Sequence, residues 1–293
     1  MFLVILTTFG LLFGSFANVV IWRFPRGESL SFPASHCPVC ETPILRRDNV
    51  PVVSWLLLKG RCRACGVEIS PRYPVVECMS GLLWLAAGLR FGITIQTGFA
   101  VAFFFLLLIL TWIDIDTMRL PNPIVGLLAL IALAGALLAQ LTRIPAVPLL
   151  ADSVPMAAAP LAASLIGAVA CAGPALILSL VMGSLLKRPA LGMGDVKLLG
   201  VMGMFLGLYG LLGFFVGSLI GVIYGVSAAR GRTGQVDGAA ATSVGEDAAK
   251  RDDAEGREPG QPFPFGPSLA AGAVTVTLVG PQVWGWYQSL FGL

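Results

Sequence analysis

The residues most able to do chemistry are carboxylates placed where long apolar runs stop. The stretch Leu191-Gly-Met-Gly-Asp195-Val-Lys197 puts a carboxylate and an amine between the apolar segments 177–186 and 198–226, with Lys187 and Arg188 closing the first. A second site follows the run Phe103-Phe-Phe-Leu-Leu-Leu-Ile-Leu-Thr-Trp112, which ends at Ile113-Asp114-Ile115-Asp116 before Leu120-Pro121-Asn122. Charge at the edge of hydrocarbon is costly, so an ionisable residue there marks a functional site by default. Gly192 and Gly194 lack a Cβ and allow a tight turn or a close approach.

Other chemistries are excluded by composition. The chain has one histidine, His36, so neither a Ser-His-Asp nor a Cys-His system can be assembled convincingly. It has no His-Glu-x-x-His and no phosphate-binding Walker motif. Gly192-Met-Gly194 is not a dinucleotide fingerprint, because Lys197 stands at the third-glycine position. Two aspartates on different helices remain, and Asp114 with Asp195 is the pair expected to act. Facing each other they share a proton: one carboxyl donates, the other accepts, and together they activate water without a metal. On pattern alone a second reading stands beside this one, in which each aspartate caps a helix or pairs with Lys197 or Arg119. Asp116 competes with Asp114, but lies on another helix face or beyond the helix end.

Six cysteines are present, and four of them form Cys37-x-x-Cys40, a gap of 21 residues, then Cys62-x-x-Cys65. Two such knuckles suit a tetrahedral zinc site, with redox dithiols as the competing reading. His36 precedes Cys37 but is not needed, since four thiolates fill the shell. A structural zinc would let residues 23–73 fold as a small domain that could not otherwise hold a core. Four thiolates leave no open position, so that zinc is not catalytic. Cys78 and Cys171 lie in apolar segments and read as packing residues.

The elements that must position these groups are membrane helices. Hydrophobic residues make up 56% of the 293 residues and charged residues 12%, with a mean hydropathy of +0.85. Soluble domains carry about 25% charge. Runs of roughly 18–25 apolar residues span about 30 Å of hydrocarbon. About eight are expected, near 2–22, 74–91, 95–114, 122–141, 159–186, 195–209, 210–228 and 266–290, with the sixth and seventh divided near Gly207–Gly210. The first lacks a charged n-region and a cleavage site, so it reads as a retained helix. Of the 19 Lys and Arg, 17 fall in alternate connections: 23–73, 115–121, 187–197 and 229–264. Only Arg90 and Arg143 fall on the opposite face. By the positive-inside rule the basic connections are cytoplasmic, as are both acidic sites, and disulfides are disfavoured there.

The expected fold is therefore an all-α polytopic membrane protein. It divides into a first helix (1–22), a cytoplasmic tetracysteine zinc domain (23–73), a transmembrane core (74–228), a disordered cytoplasmic loop (229–264) and a last helix (265–293). The loop 229–264 is poor in large apolar residues and cannot fold alone. The external loop 142–158 is short, and no internal repeat is evident. A net charge of +3 does not argue for a nucleic-acid partner.

Read together, these residues resemble the type IV prepilin peptidases, the bifunctional leader peptidases and N-methyltransferases of pilus and type II secretion systems. The resemblance runs through Gly14-Ser-Phe-Ala-Asn18 with Arg23-Phe-Pro25, Phe32-Pro-Ala-Ser-His-Cys37-Pro-Val-Cys40, Pro51-Val-Val-Ser54, Gly60-Arg-Cys62-Arg-Ala-Cys65 and Ile69-Ser-Pro-Arg72-Tyr-Pro-Val-Val-Glu77. It continues through Asp114 and Asp116 with Leu120-Pro121, Gly192-Met-Gly-Asp195, and Pro264-Phe-Gly-Pro267-Ser-Leu-Ala-Ala-Gly-Ala273. It implies two catalytic aspartates. One stands seven residues before the proline of Leu-Pro, selecting Asp114 over Asp116, and the other is Asp195 of Gly-x-Gly-Asp. It likewise implies zinc on Cys37, Cys40, Cys62 and Cys65. Asn122-Pro123 departs from the family's frequent Asp-x-Leu-Thr, which costs a carboxylate near the site.

The implied activity is cleavage of the basic leader of prepilins or pseudopilins after a glycine, at the cytoplasmic face of the inner membrane. Methylation of the new N-terminal residue with S-adenosylmethionine follows. Glu77 and Asp116 would attract a basic leader, or else are plain helix-end charges. Asn18, Arg23, Arg72 and Glu77 are candidates for the methyl-donor pocket, or else anchor loops through hydrogen bonds. Two other classes fit less well: a presenilin-like intramembrane aspartic protease sharing Gly-x-Gly-Asp, and a non-enzymatic pilin assembly scaffold. The implied partners are the substrates and the lipid bilayer, and no oligomeric state is implied.

Overall fold

The computed structural model describes residues 1–150, 159–186, 191–236 and 264–291. The basic pair Lys187-Arg188, positions 151–158 of the expected external loop and positions 237–263 of the polar loop lie outside the described residues. Among the described residues there are helices and no strands. They are α1 (Phe2–Arg23), α2 (Val53–Leu57), α3 (Arg72–Phe91), α4 (Ile95–Thr117), α5 (Asn122–Thr142), α6 (Pro160–Leu186), α7 (Met193–Leu206), α8 (Tyr209–Val236) and α9 (Gly266–Phe291). All but α2 coincide with apolar runs, because a helix satisfies its own backbone and can stand in lipid. α8 continues to Val236, so 229–236 is helical where a loop was expected.

Six of the described helices are long and apolar enough to cross a membrane: α1, α3, α4, α5, α6 and α8. α7 has 14 residues, about 21 Å at 1.5 Å per residue, short of the hydrocarbon thickness. It ends where Gly207 takes φ +60, a left-handed conformation that glycine adopts without strain, and α8 begins two residues later. The expected division near Gly207–Gly210 falls there. α9 runs for 26 residues but is not among the six, so among the described residues six of the expected eight crossings are supported by length and composition.

α4 is the centre, touching α1, α3, α5 and α9. Its Phe103, Phe104, Leu107 and Leu110 are fully buried, and Phe103 stacks on Phe205 of α7 with ring centroids 4.3 Å apart. α6 and α7 meet at Gly167 and Gly203, where a Cβ on Gly203 would stand 2.1 Å from the Gly167 carbonyl oxygen. Small residues permit such close approach between helices in lipid. The segment after α5 is apolar and tucks inward: Val147, Leu149 and Leu150 are buried, and the Leu149 N–H donates to the Phe205 carbonyl at 2.7 Å.

Candidate active site

Asp114 lies within the last turn of α4. The helix ends when Met118 turns left-handed (φ 51) and its N–H closes back on the Asp114 carbonyl at 2.8 Å. The Asp114 side chain is only 5% exposed. Its Oδ2 accepts a hydrogen bond from the backbone N–H of Gly266, the first residue of α9, at 3.0 Å. Asp195 lies in the first turn of α7, with Gly192 as the N-cap residue. Its carboxylate is half-buried beside the Gly192 amide, which supports its charge without forming a full capping bond. The two carboxylates are within electrostatic reach of each other. Both residues of the expected pair thus stand in one electrostatic neighbourhood.

Helix capping by these aspartates is present in part, and ion pairing is not. Both carboxylates meet helix N-termini, Asp195 that of its own helix and Asp114 that of α9. Among the described residues no cation is ion-paired with either. Lys197 donates instead to Oδ1 of Asn122 at 2.9 Å. Gly194 packs against Leu120, whose Cβ would be 3.1 Å from an added Cβ, so the Gly-x-Gly-Asp turn rests on the Leu-Pro element.

Asp116 is still inside α4 and points elsewhere. Arg72, the first residue of α3, grips it with both terminal nitrogens, one at 2.9 Å, and lies over the Trp112 ring at 4.8 Å. This clamp ties α3 to the end of α4. Neither partner was paired with the other on the sequence, because the link spans 44 residues.

The other methyl-donor candidates are also engaged. Asn18 donates to the Tyr73 carbonyl at 3.1 Å. Arg23 donates to the carbonyls of Ser29 and Pro33, folding the loop onto the end of α1. Glu77 is 8% exposed and accepts the Val52 N–H at 2.7 Å. Each of these four side chains already makes a hydrogen bond that anchors a loop or a helix end. Glu77 accepts from the Val52 N–H and Asp116 from Arg72. Among the described residues, Ser80 Oγ and Trp84 Nε1, on the same face of α3 as Glu77, are buried without a hydrogen-bond partner.

The tetracysteine loop is built as a duplicated knuckle offset by 25 residues. The Cys37 N–H meets the Thr42 carbonyl and the Cys62 N–H meets that of Val67. The Glu41 N–H meets Cys37 and the Gly66 N–H meets Cys62, with both donors at positive φ. The Ile44 N–H meets Ser35 and the Ile69 N–H meets Gly60. A local repeat therefore exists where none was evident in the sequence.

All four Sγ atoms lie within 4.8 Å of one another, and those of Cys37 and Cys65 are 3.8 Å apart. A tetrahedral site with Zn–S of about 2.3 Å requires sulfurs about 3.8 Å apart. The hydroxyl and backbone N–H of Thr42 lower the Cys40 thiol to about 6, and the amides of Cys65 and Ala64 lower that of Cys62. At Cys65 the Val67 amide also favours the thiolate, but lost hydration and the neighbouring thiols outweigh it and raise that thiol to about 11. Four sulfurs this close accept full ionisation only around a cation, so the donor set fits zinc. His36 turns its Nδ1 to the Ala34 carbonyl, outside the cluster.

Two family models and several known proteins match the chain. The bacterial Peptidase A24 N-terminal domain matches residues 8–91, and the type IV leader peptidase family matches residues 101–226. A prepilin leader peptidase/N-methyltransferase of Bacillus subtilis (strain 168) is 34% identical over 284 residues, covering 97% of this chain and 96% of the relative. A type 4 prepilin-like proteins leader peptide-processing enzyme of Escherichia coli O78:H11 is 37% identical, covering 78% and 87%. A prepilin leader peptidase/N-methyltransferase of Klebsiella pneumoniae is 39% identical, covering 68% and 82%. No solved structure matches the chain at a significant level.

Proposed function

The chain belongs to the type IV leader peptidase family, and we propose that it is a prepilin leader peptidase and N-methyltransferase whose proteolysis is carried out by Asp114 and Asp195. The observation supporting that pair is that two carboxylates, from the end of α4 and the start of α7, act on each other electrostatically, with no cation ion-paired to either among the described residues. One ionised carboxylate takes a proton from water as its oxygen attacks the scissile carbonyl carbon. The other, protonated, gives its proton to the carbonyl oxygen. When the tetrahedral intermediate collapses, the C–N bond breaks, the amine leaves with a proton, and the dyad returns to its starting state.

The site lies at the cytoplasmic edge of the inner membrane in this reading, because the basic connections flank it. A prepilin or pseudopilin would present its leader there while its apolar helix stays in the bilayer. The tetracysteine loop holds one zinc through Cys37, Cys40, Cys62 and Cys65, and the metal supplies fold and not reactivity. The activity implies S-adenosylmethionine as methyl donor, and Asn18, Arg23, Arg72 and Glu77 are assigned to anchoring. The presenilin-like and scaffold readings are not favoured by these relatives.

Mass spectrometry of a prepilin co-expressed with this chain tests the reading. The expected product lacks its leader and carries a methyl group on the new N-terminal residue. An intact leader, at normal abundance of the chain in the membrane, would refute it.

A further inference from the structure

We propose that Gly266 is a positioning residue for proteolysis: its backbone N–H holds one carboxylate oxygen of Asp114 and so presents the other for proton exchange with water and Asp195. The proposal rests on the reading of Asp114 as a proteolytic aspartate.

Helix geometry makes this N–H available. The Ser268 and Leu269 N–H groups both return to the Phe265 carbonyl, so Gly266 opens α9. The first N–H groups of a helix have no partner within it. That of Gly266 points at Asp114 Oδ2, 3.0 Å away, in a buried contact spanning 152 residues of sequence. The helix N-terminus also carries partial positive charge, which suits a carboxylate. Among the described residues, Gly266 is the hydrogen-bond donor on this carboxylate.

A larger residue here would crowd the carboxylate. A Cβ on residue 266 would lie 2.7 Å from Asp114 Oδ2, 3.1 Å from Cγ and 3.4 Å from Cβ. α9 cannot slide back to relieve the clash. Its Gly272 is pressed on α8, where a Cβ would stand 2.2 Å from the Gly213 carbonyl oxygen, and Leu269 and Ala273 are fully buried. Asp114 is the group that must move, and displacing a reacting group by about 1 Å costs on the order of 100-fold in rate.

The experiment uses the full chain in lipid vesicles, a synthetic prepilin peptide for cleavage and a pre-cleaved peptide for methyl transfer. Gly266→Ala should lower kcat of cleavage about 10- to 100-fold, with KM within about twofold and methyl transfer unchanged. Gly285→Ala, on the same helix where an added Cβ meets nothing within 4 Å, should leave kcat unchanged. Should Gly266→Ala fail to accumulate, adding Asp114→Ala should restore accumulation, since the clash is with that carboxylate. Unchanged kcat, a change confined to KM, parallel loss of methyl transfer, or failure of that rescue each overturns the proposal. If Asp114→Asn still cleaves, the underlying reading falls with it. If Asp114→Asn is inactive while Gly266→Ala is fully active, only the role of Gly266 falls.

Discussion

Replacing Asp114 by Asn separates chemistry from folding more cleanly than any other change at this site. The Asn side chain keeps a carbonyl oxygen where Oδ2 accepts the Gly266 N–H. The structural cost is then a weakened hydrogen bond and a lost charge at the start of α9, together about 1 kcal/mol. Asp114→Ala would instead strand a buried N–H, at about 1–3 kcal/mol. The chemical cost is larger, because positioned proton transfer contributes about 10²–10⁴ in rate, or roughly 3–5 kcal/mol of barrier at 1.36 kcal/mol per tenfold. Asp114→Asn and Asp195→Asn should each abolish leader cleavage at near-normal membrane abundance. The double variant should be no worse than either, since the two act as a unit. The assay compares Asp114→Asn, Asp195→Asn and Asp116→Asn on a synthetic prepilin peptide at equal membrane abundance. Asp116→Asn should keep most activity, because an amide oxygen can still take one N–H from Arg72. Cleavage by Asp114→Asn with loss in Asp116→Asn would show the wrong aspartate was chosen, and cleavage by all three would end the two-aspartate mechanism.

Elemental analysis of the purified chain should find one zinc, which is lost when Cys37→Ala and Cys62→Ala are combined; metal retained by that variant would exclude the tetracysteine site. Breaking the Arg72 clamp with Arg72→Gln should cost about 1–2 kcal/mol from the bidentate pair and the Trp112 face, read as a lower melting temperature in detergent. The exchange of charges in Arg72→Asp with Asp116→Arg should recover part of it, and no recovery would mean the pair is incidental. Ile144 is exposed and lies on the expected external side, so Ile144→Cys should react with an impermeant thiol reagent in intact cells, whereas Glu68→Cys should react only after permeabilisation. The reverse pattern inverts the topology.

The helices were legible because lipid solvent leaves a coarse signal: each long apolar run became a helix whose ends fall within a few residues of Gly, Pro or charge. α7 was less legible as a span, since 14 residues bounded by Gly192 and Gly207 are apolar but too short to cross alone. The knuckle repeat was hidden because its two copies share few residues beyond the cysteines and Ile44 with Ile69. The rest of their likeness is carried by backbone hydrogen bonds and by positive φ at Glu41 and Gly66. The methyl-donor candidates were chosen as polar residues at helix ends. Such residues also anchor loops, and only tertiary partners, such as the Val52 N–H on Glu77, separate the two roles. The Asp114–Gly266 contact had a sequence trace in the run Pro264-Phe-Gly-Pro267, but nothing local could say what that glycine approaches.

An aspartate at a helix end invites a structural reading and a chemical one, and under the proposed mechanism the same geometry would serve both at this site. Asp195 sits in the first turn of α7 against the Gly192 amide, and Asp114 takes the first N–H of α9. Each helix N-terminus offers a carboxylate about 0.3–1 kcal/mol, which favours negative charge where lipid would expel it. Two carboxylates so close repel each other, and removing either charge relieves the other. In the proposed mechanism the two N-termini support one negative charge while the second carboxyl serves as the acid in proton exchange with water. A lone cap would give a bound carboxylate and no chemistry. What distinguishes the arrangement from ordinary capping is that two carboxylates at helix N-termini from distant parts of the chain act on each other electrostatically.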